Sequence, residues 1–335
     1  MADAQGNFKI ESLSSNLLFT VVVAARGFEP DTRSKVDPTE APLVVRLKQR
    51  DLNRLPAKRT AFGRLLDSRQ QPVAGAQINI SGVTSGRGTT WGRMPEGTDA
   101  VAVSDAAGEF EIYVAKDCDA VELQIDAPGV ARTKLRGAAL GGGRRDFVLP
   151  AGAVLVGHVV RDGKPVKGIN VGVAGVDRGA GTFTGDFVVG TDADGLFVFP
   201  NLPADRDYQF YGVLDSLRGL GALPARVVRV GRDGSKTDLG TITLAEGWRV
   251  AGEVRAASAK TLPAGSRLIL FRDGAWDFSI IDLPADGRFD LPNVPGEAVS
   301  LSVGMAGYRV AAAPPKLGRL TSDRTGLVFL MEPGK

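Results

Sequence analysis

The chain has 335 residues, 43% of them hydrophobic, enough for roughly two to four compact domains. Its 41 Lys and Arg against 38 Asp and Glu leave a net charge of +3, scattered without a basic run, which argues against nucleic-acid binding. The single cysteine, Cys118, allows neither an internal disulfide framework nor a cysteine-rich metal site, and no apolar stretch reaches the ~18 residues of a membrane span.

With 43 Gly and 19 Pro beside many Val and Thr, the composition favours short strands joined by tight turns. One turn-strand stretch recurs four times: Ala2–Ile10, Ser104–Ile112, Thr191–Phe199 and Ala285–Leu291. Its glycine falls at 6, 108, 195 and 287, and that spacing predicts tandem domains of one kind. In each copy Asp and Gly make a turn, and the Phe and the apolar residue two places on face a core.

In chain order, residues 1–50 carry only the second half of a repeat. Phe19, Val21 and Val23 alternate on one strand, Ala25–Phe28 turns, and Leu43–Leu47 closes. Half a sandwich leaves strand edges and an apolar face uncovered, so this segment is expected to be less stable unless it docks on its neighbour. Residues 51–60 read as a polar linker. The start enters directly at the motif with no basic and apolar leader, which suggests a chain truncated inside a domain with its signal peptide absent.

Three full repeats follow, at 61–150, 151–246 and 247–335. They open at Phe62–Leu66, Val156–Val160 and Ala251–Val254, with glycines at 63, 157 and 252. Each opening strand leads through a Pro and Gly turn into a second alternating strand. After the motif come strands around Leu123, Phe210 and Leu301, two of them introduced by Asn201-Leu-Pro203 and Asn293-Val-Pro295. The bend glycine that follows sits at 27, 129 and 307, but in the second full repeat it stretches to Gly219. Closing strands end at Leu149, Leu244 and Leu330. The connections from Ser81 to Asp99 and from Gly175 to Gly190 vary most, and loops of a repeated scaffold usually carry its specificity. Short junctions at Leu149–Gly152 and Leu244–Gly247 predict a semi-rigid array.

The openings and motifs, Gly63 and Pro72-Val-Ala-Gly75 with Asp105-Ala-Ala-Gly-Glu-Phe110, resemble the carboxypeptidase regulatory-like domain, related to the Cna-B and starch-binding-like modules. The resemblance covers the three full repeats and the partial one. It implies an all-β chain, a tandem array of Greek-key, transthyretin-like (prealbumin-like) β-sandwiches. In function it implies a structural or binding appendage of peptidases, transporters or surface proteins. The Lys-to-Asn isopeptide crosslink of some Cna-B domains is not expected, since Phe62–Leu66 and Val156–Val160 hold no Lys, and Phe147–Leu149 and Ile242–Leu244 no Asn.

No catalytic or metal-binding residue and no cofactor is expected. His158, the single histidine, reads as a strand-face residue, and a triad or zinc site needs partners within reach of an imidazole. Cys118 lies between Asp117 and Asp119, whose charges disfavour a thiolate. Asp192-Ala-Asp194-Gly195 has the flavour of a calcium loop, but a turn held by Asp side-chain bonds to the backbone is the better reading. Sugar binding would use exposed aromatic faces beside polar groups, and the candidate binding residues are Trp91, Trp276 and Tyr211 with Arg272 and Asp277. Trp248 is assigned to interdomain packing. The leading expectation is a non-catalytic extracytoplasmic spacer, adhesion stalk or interaction module of a larger protein, secreted, periplasmic or on the cell surface. The alternative is a carbohydrate-binding array. Expected partners are a polysaccharide or cell-envelope component and other domains of a longer parent chain, with no nucleic acid and no membrane insertion.

Overall fold

A computed structural model describes every residue except 1, 4, 12, 14, 16, 41, 87, 93, 312–316 and 335. The chain divides into two compact units. One is Met1–Gly152 with Gly179–Thr184 and Asn201–Ala204; the other is Ala153–Arg178 with Gly185–Pro200 and Asp205–Lys335.

The first unit begins with a hairpin of β1 (Phe19–Val23) and β2 (Asp31–Val36). Then come β3 (Thr60–Leu66), β4 (Gln77–Ser85), β5 (Gly88–Trp91), β6 (Ala102–Val103), β7 (Glu109–Tyr113), β8 (Ala120–Asp126), β9 (Thr133–Ala139) and β10 (Arg145–Val148). They form one sheet in the order β10-β3-β7 and another in the order β5-β4-β8-β9, with β6 on β4. Period-two alternation decides which side chains meet between the sheets. Leu65, Phe110 and Ile112 from one pack with Ile78, Leu123 and Ile125 from the other. Residues 51–60, read as a linker, hold two short 3-10 turns, Leu52–Arg54 and Ala57–Arg59, and β3 starts at Thr60. The Asp51 carboxylate accepts from the Asn53 amide, which stabilises the first turn.

The second unit follows the same plan twice. Its first set is β11 (Ala153–Arg161), β12 (Lys164–Pro165), β13 (Asn170–Gly175), β14 (Asp186–Gly190), β15 (Leu196–Leu202), β16 (Arg206–Gly212), β17 (Arg226–Val230) and β18 (Lys236–Thr243). Its second set is β19 (Trp248–Ala256), β20 (Arg267–Arg272), β21 (Phe278–Asp282), β22 (Arg288–Val294), β23 (Ala298–Gly304), β24 (Tyr308–Val310), β25 (Gly318–Arg319) and β26 (Arg324–Pro333). The sheets run β12-β11-β15 with β18 on β11, β14-β13-β16-β17, β22-β19-β26-β24 and β21-β20-β23-β25. In all three full repeats the opening strand (β3, β11 or β19) lies between the motif strand and a closing strand that runs parallel to it. The protein is all-β, a tandem array of β-sandwiches.

The recurrent motif is explained by backbone packing. Gly108, Gly195 and Gly287 have φ of +76°, +71° and +71°, the left-handed region that glycine enters without strain. A Cβ on them would lie 2.4, 2.4 and 2.1 Å from the carbonyl oxygens of Leu65, Val159 and Val254 on the opening strands. The turn is therefore pressed against the neighbouring strand, and only glycine fits. The Asp of the motif closes it: Asp105 Oδ1 accepts from the amides of Ala107 and Glu109, and Asp192 Oδ1 from those of Asp194 and Leu196, all at 2.9 Å.

Candidate functional site

Side chains that bear charge and are withdrawn from water gather in the second unit, where the second and third repeats meet. Arg272 is the centre of this cluster. In β20, Leu268, Leu270 and Arg272 all point inward, so the alternation that builds the core carries a guanidinium into it. Arg272 is only 3% exposed. Its Nη1 donates to the Gly212 carbonyl at 3.0 Å and its Nη2 to the Leu223 carbonyl at 3.3 Å, both from the second repeat. Its Nε lies 2.8 Å from Glu297 Oε1 and 3.7 Å from Asp277 Oδ2. The Nε–Oε1 pair is held by charge and proximity, without the alignment of a hydrogen bond.

Both carboxylates also reach across to the second repeat. Asp277 Oδ2 accepts from the Leu214 amide at 2.9 Å, and Glu297 Oε2 from the Ala225 amide at 2.5 Å. The Tyr211 ring lies beneath the guanidinium, 5.4 Å from its carbon to the ring centroid. Burial dominates the acid–base chemistry. It pushes the carboxyls of Asp277 and Glu297 above the usual carboxylate range, and pulls the Arg272 guanidinium below its ordinary value against the pull of Glu297 and Asp277. Burial also pushes the Tyr211 phenol up.

A second layer surrounds this core. The 3-10 turn Leu214–Leu217 packs on β21. Arg218 donates to the Ser279 hydroxyl at 2.7 Å and the Ile280 carbonyl at 3.1 Å, while Ser279 donates to Asp215 at 2.6 Å. This turn thereby covers backbone along the outer edge of β21, an exposed edge that could otherwise pair with another chain. Outside it, Arg178 donates to the Gly274 carbonyl at 3.2 Å and stacks over Trp276, 5.1 Å from the ring centroid.

The sequence candidates therefore separate. Tyr211, Arg272 and Asp277 do come together, but as buried members of a joint between repeats. A ring with both faces enclosed cannot stack on a sugar, which corrects the expectation of an open binding surface at these three. Trp276 is 58% exposed at the rim. Trp91 lies in the first unit with its ring against Gly82, where an added Cβ would come within 2.9 Å of it, and with Lys134 Nζ 5.7 Å from the ring centroid. Trp248 lays its indole against Gly296 of its own repeat, where an added Cβ would come within 3.2 Å of Nε1. Sequence reasoning missed Glu297, Arg218, Asp215 and Arg178. One signal was present: Arg272 continues the inward phase of Leu268 and Leu270, a position where an isolated charge is costly. The other was the long interval before Gly219, whose extra residues build the turn against β21.

The first unit holds a second set of buried charge. Arg26 pairs with Asp105, with Glu109 at 3.1 Å and with Glu111 at 2.9 Å. Arg50 forms a two-pronged bridge to Asp99, both contacts at 2.7 Å. These arginines dock residues 19–50 onto the first full repeat. Cys118 is half-buried, and burial, followed by Asp119 and Asp117, pushes its thiol up. His158 is exposed on β11 between buried neighbours.

No family model matches this chain, and no curated protein matches it. Among solved structures it is similar to the Bacillus anthracis TIE protein at 12% identity and a TM-score of 0.23, covering 91% of this chain and 53% of that one. The chain thus spans about half the length of that protein. It is similar to a streptococcal ancillary pilin at 12% identity and a TM-score of 0.26, covering 82% of this chain and 99% of that one. It is also similar to GBS52, the minor pilin of Streptococcus agalactiae, at 13% identity and a TM-score of 0.27, covering 55% of this chain and 97% of that one.

Proposed function

We propose that this chain is a non-catalytic structural module, an extracytoplasmic spacer or adhesion stalk that sets the separation and orientation of other domains of a larger protein. The observation that carries this reading is the joint at Arg272. Its charged groups are spent on each other and on backbone groups of the adjoining repeat, so they bind sandwich to sandwich and face no substrate. A buried polar network of this kind favours one relative orientation over others, because any slip leaves charge unpaired in a medium of low dielectric constant. A spacer needs that property. The domain limits read from the repeats, 61–150, 151–246 and 247–335, are the units such a spacer would string together. A cell-envelope component is the partner class that suits it.

The test is a distance measurement in the full chain. Spin labels at exposed Lys164 and Ser322, in a Cys118→Ser background, should give one narrow distance distribution by electron double resonance. Arg272→Ala should broaden it. A broad distribution in the parent chain would sink the spacer reading. A carbohydrate-binding reading is supported by the exposure of Trp276 alone; saturable glycan binding abolished by Trp276→Ala, with the fold intact by circular dichroism, would favour it.

A further inference from the structure

The second and third repeats share one plan, so their core positions can be compared residue for residue, starting from Gly195 and Gly287. Two places on, Phe197 and Phe289 correspond, and both are buried. Beyond them the third repeat uses smaller side chains. Phe199, 1% exposed, is answered by Leu291, and Leu202, 0% exposed, by Val294. Leu291 is only partly buried, although it keeps the inward phase that Phe289 sets in β22. Asn293, with a left-handed φ of +58°, then breaks the alternation and turns Val294 inward as well.

Beside these smaller residues lies a cavity of about 170 Å³. Leu270 and Ile281 wall it from one sheet of the third repeat, and Leu291 and Val294 from the other. Leu214 and Leu217, from the 3-10 turn of the second repeat, close it, and Leu214 packs within the third repeat's own core. Two charged residues, Arg218 and Asp290, reach the wall; both are exposed, which puts the mouth on their side. Both are also already paired. Arg218 donates to Asp215, Ser279 and the Ile280 carbonyl, and the Asp290 oxygens accept from Arg249 at 2.9 and 2.7 Å. An ionised ligand entering here would lose its hydration and meet no free counter-charge at this wall. By contrast, an apolar cavity of about 150 Å³ lined by Leu, Ile and Phe stays dry and takes up benzene or xenon.

We propose that this cavity is a binding site for a compact uncharged ligand, a hydrocarbon body of roughly six to eight carbon atoms with at most one small polar group. The body packs among the six aliphatic side chains, and the polar group stays at the mouth between Arg218 and Asp290. Because both repeats wall the cavity, the ligand binds only while they are joined and stabilises the joined arrangement by mass action. The site rests on the packing of the two repeats and does not depend on the spacer reading.

The probe is benzyl alcohol, titrated into the full 335-residue protein while the signals of Leu214, Leu217 and Leu291 are followed by NMR. Saturable shifts at these residues are expected. Benzoate and benzylammonium, similar in size but charged, should bind at least about tenfold more weakly. Leu291→Phe with Val294→Leu installs the second repeat's residues and should abolish binding with the circular dichroism of the parent retained. Leu217→Ala removes part of the closure and should admit 2-naphthol, which the parent excludes. Absence of saturable shifts with benzyl alcohol would overturn the proposal, as would equal binding by the filled double variant. Should that variant fail to fold, exclusion of 2-naphthol by Leu217→Ala would overturn it instead. Benzoate binding as tightly as benzyl alcohol would overturn the assignment to an uncharged ligand.

Discussion

Replacing Arg272 by alanine is the most informative single perturbation of this molecule. The change removes two hydrogen bonds to the carbonyls of Gly212 and Leu223 and leaves the carboxyls of Glu297 and Asp277 without their counter-charge. Breaking a buried ion pair from one side costs about 3–5 kcal/mol. The two orphaned carbonyls keep the value at the upper end of that range, since burial bars water from replacing the donors. The deficit should depend on pH, with a sign fixed by burial. The folded-state pKa of both carboxyls is already raised, and losing the guanidinium raises it further. A group of that kind contributes stability below its unfolded pKa that is lost as pH rises through the folded pKa. Arg272→Ala should therefore be closer to the parent at pH 5 than at pH 8. Urea unfolding followed by tryptophan fluorescence reads the cost, and hydrogen exchange at the Leu214 and Ala225 amides, which donate to the two carboxylates, locates it. Replacing the cluster together (Arg272→Met, Glu297→Gln and Asp277→Asn) should recover much of the loss, because no uncompensated charge remains. A cost of less than about 1 kcal/mol for Arg272→Ala, within the range of an exposed pair, with those amides still protected, would refute the reasoning.

The motif glycines allow a matched comparison. Gly108→Ala should cost about 3 kcal/mol, joining left-handed backbone strain to the clash with the Leu65 carbonyl. Gly6→Ala, with the same backbone strain and open space around it, should cost only about 1 kcal/mol; similar midpoints in denaturant would contradict the packing account. Acid should release the N-terminal segment. Burial opposes charging of Asp105, but bonds from the Glu109 amide and from Arg26 outweigh it and hold its pKa below the usual range. Its contribution is therefore present above its unfolded pKa and lost as pH falls through the lowered folded pKa, so the Gly27 amide that donates to Glu111 should lose protection in the acid window below roughly pH 4. Protection that persists throughout that window would count against ion-pair docking.

The strands and turns were legible because they depend on short stretches of sequence. Aspartate two and four residues before an amide can bond to it whatever the rest of the chain does, and glycine at positive φ marks a turn at any position. Period-two alternation likewise names the face of Ile78, Leu123 or Phe197 that turns inward, without saying which sheet it meets. The joint was not legible to the same degree. Arg272, Asp277 and Trp276 sit close together in sequence and suggested a polar loop tip with an aromatic at its end, a reasonable motif for a ligand. What that reading lacked was the second repeat, whose carbonyls at Gly212 and Leu223 and amides at Leu214 and Ala225 convert the tip into an interior.

The sequence by itself determined that the chain is all-β and that one turn-strand unit recurs along it. Those properties follow from local backbone chemistry and side-chain period. Only the tertiary structure decided that Arg272 is a buried lock and that the residues before Gly219 cover the edge of β21. The physical reason is that desolvation is a collective property: a side chain's surroundings are set by residues tens of positions away, and its charge, pKa and access to a partner follow from them.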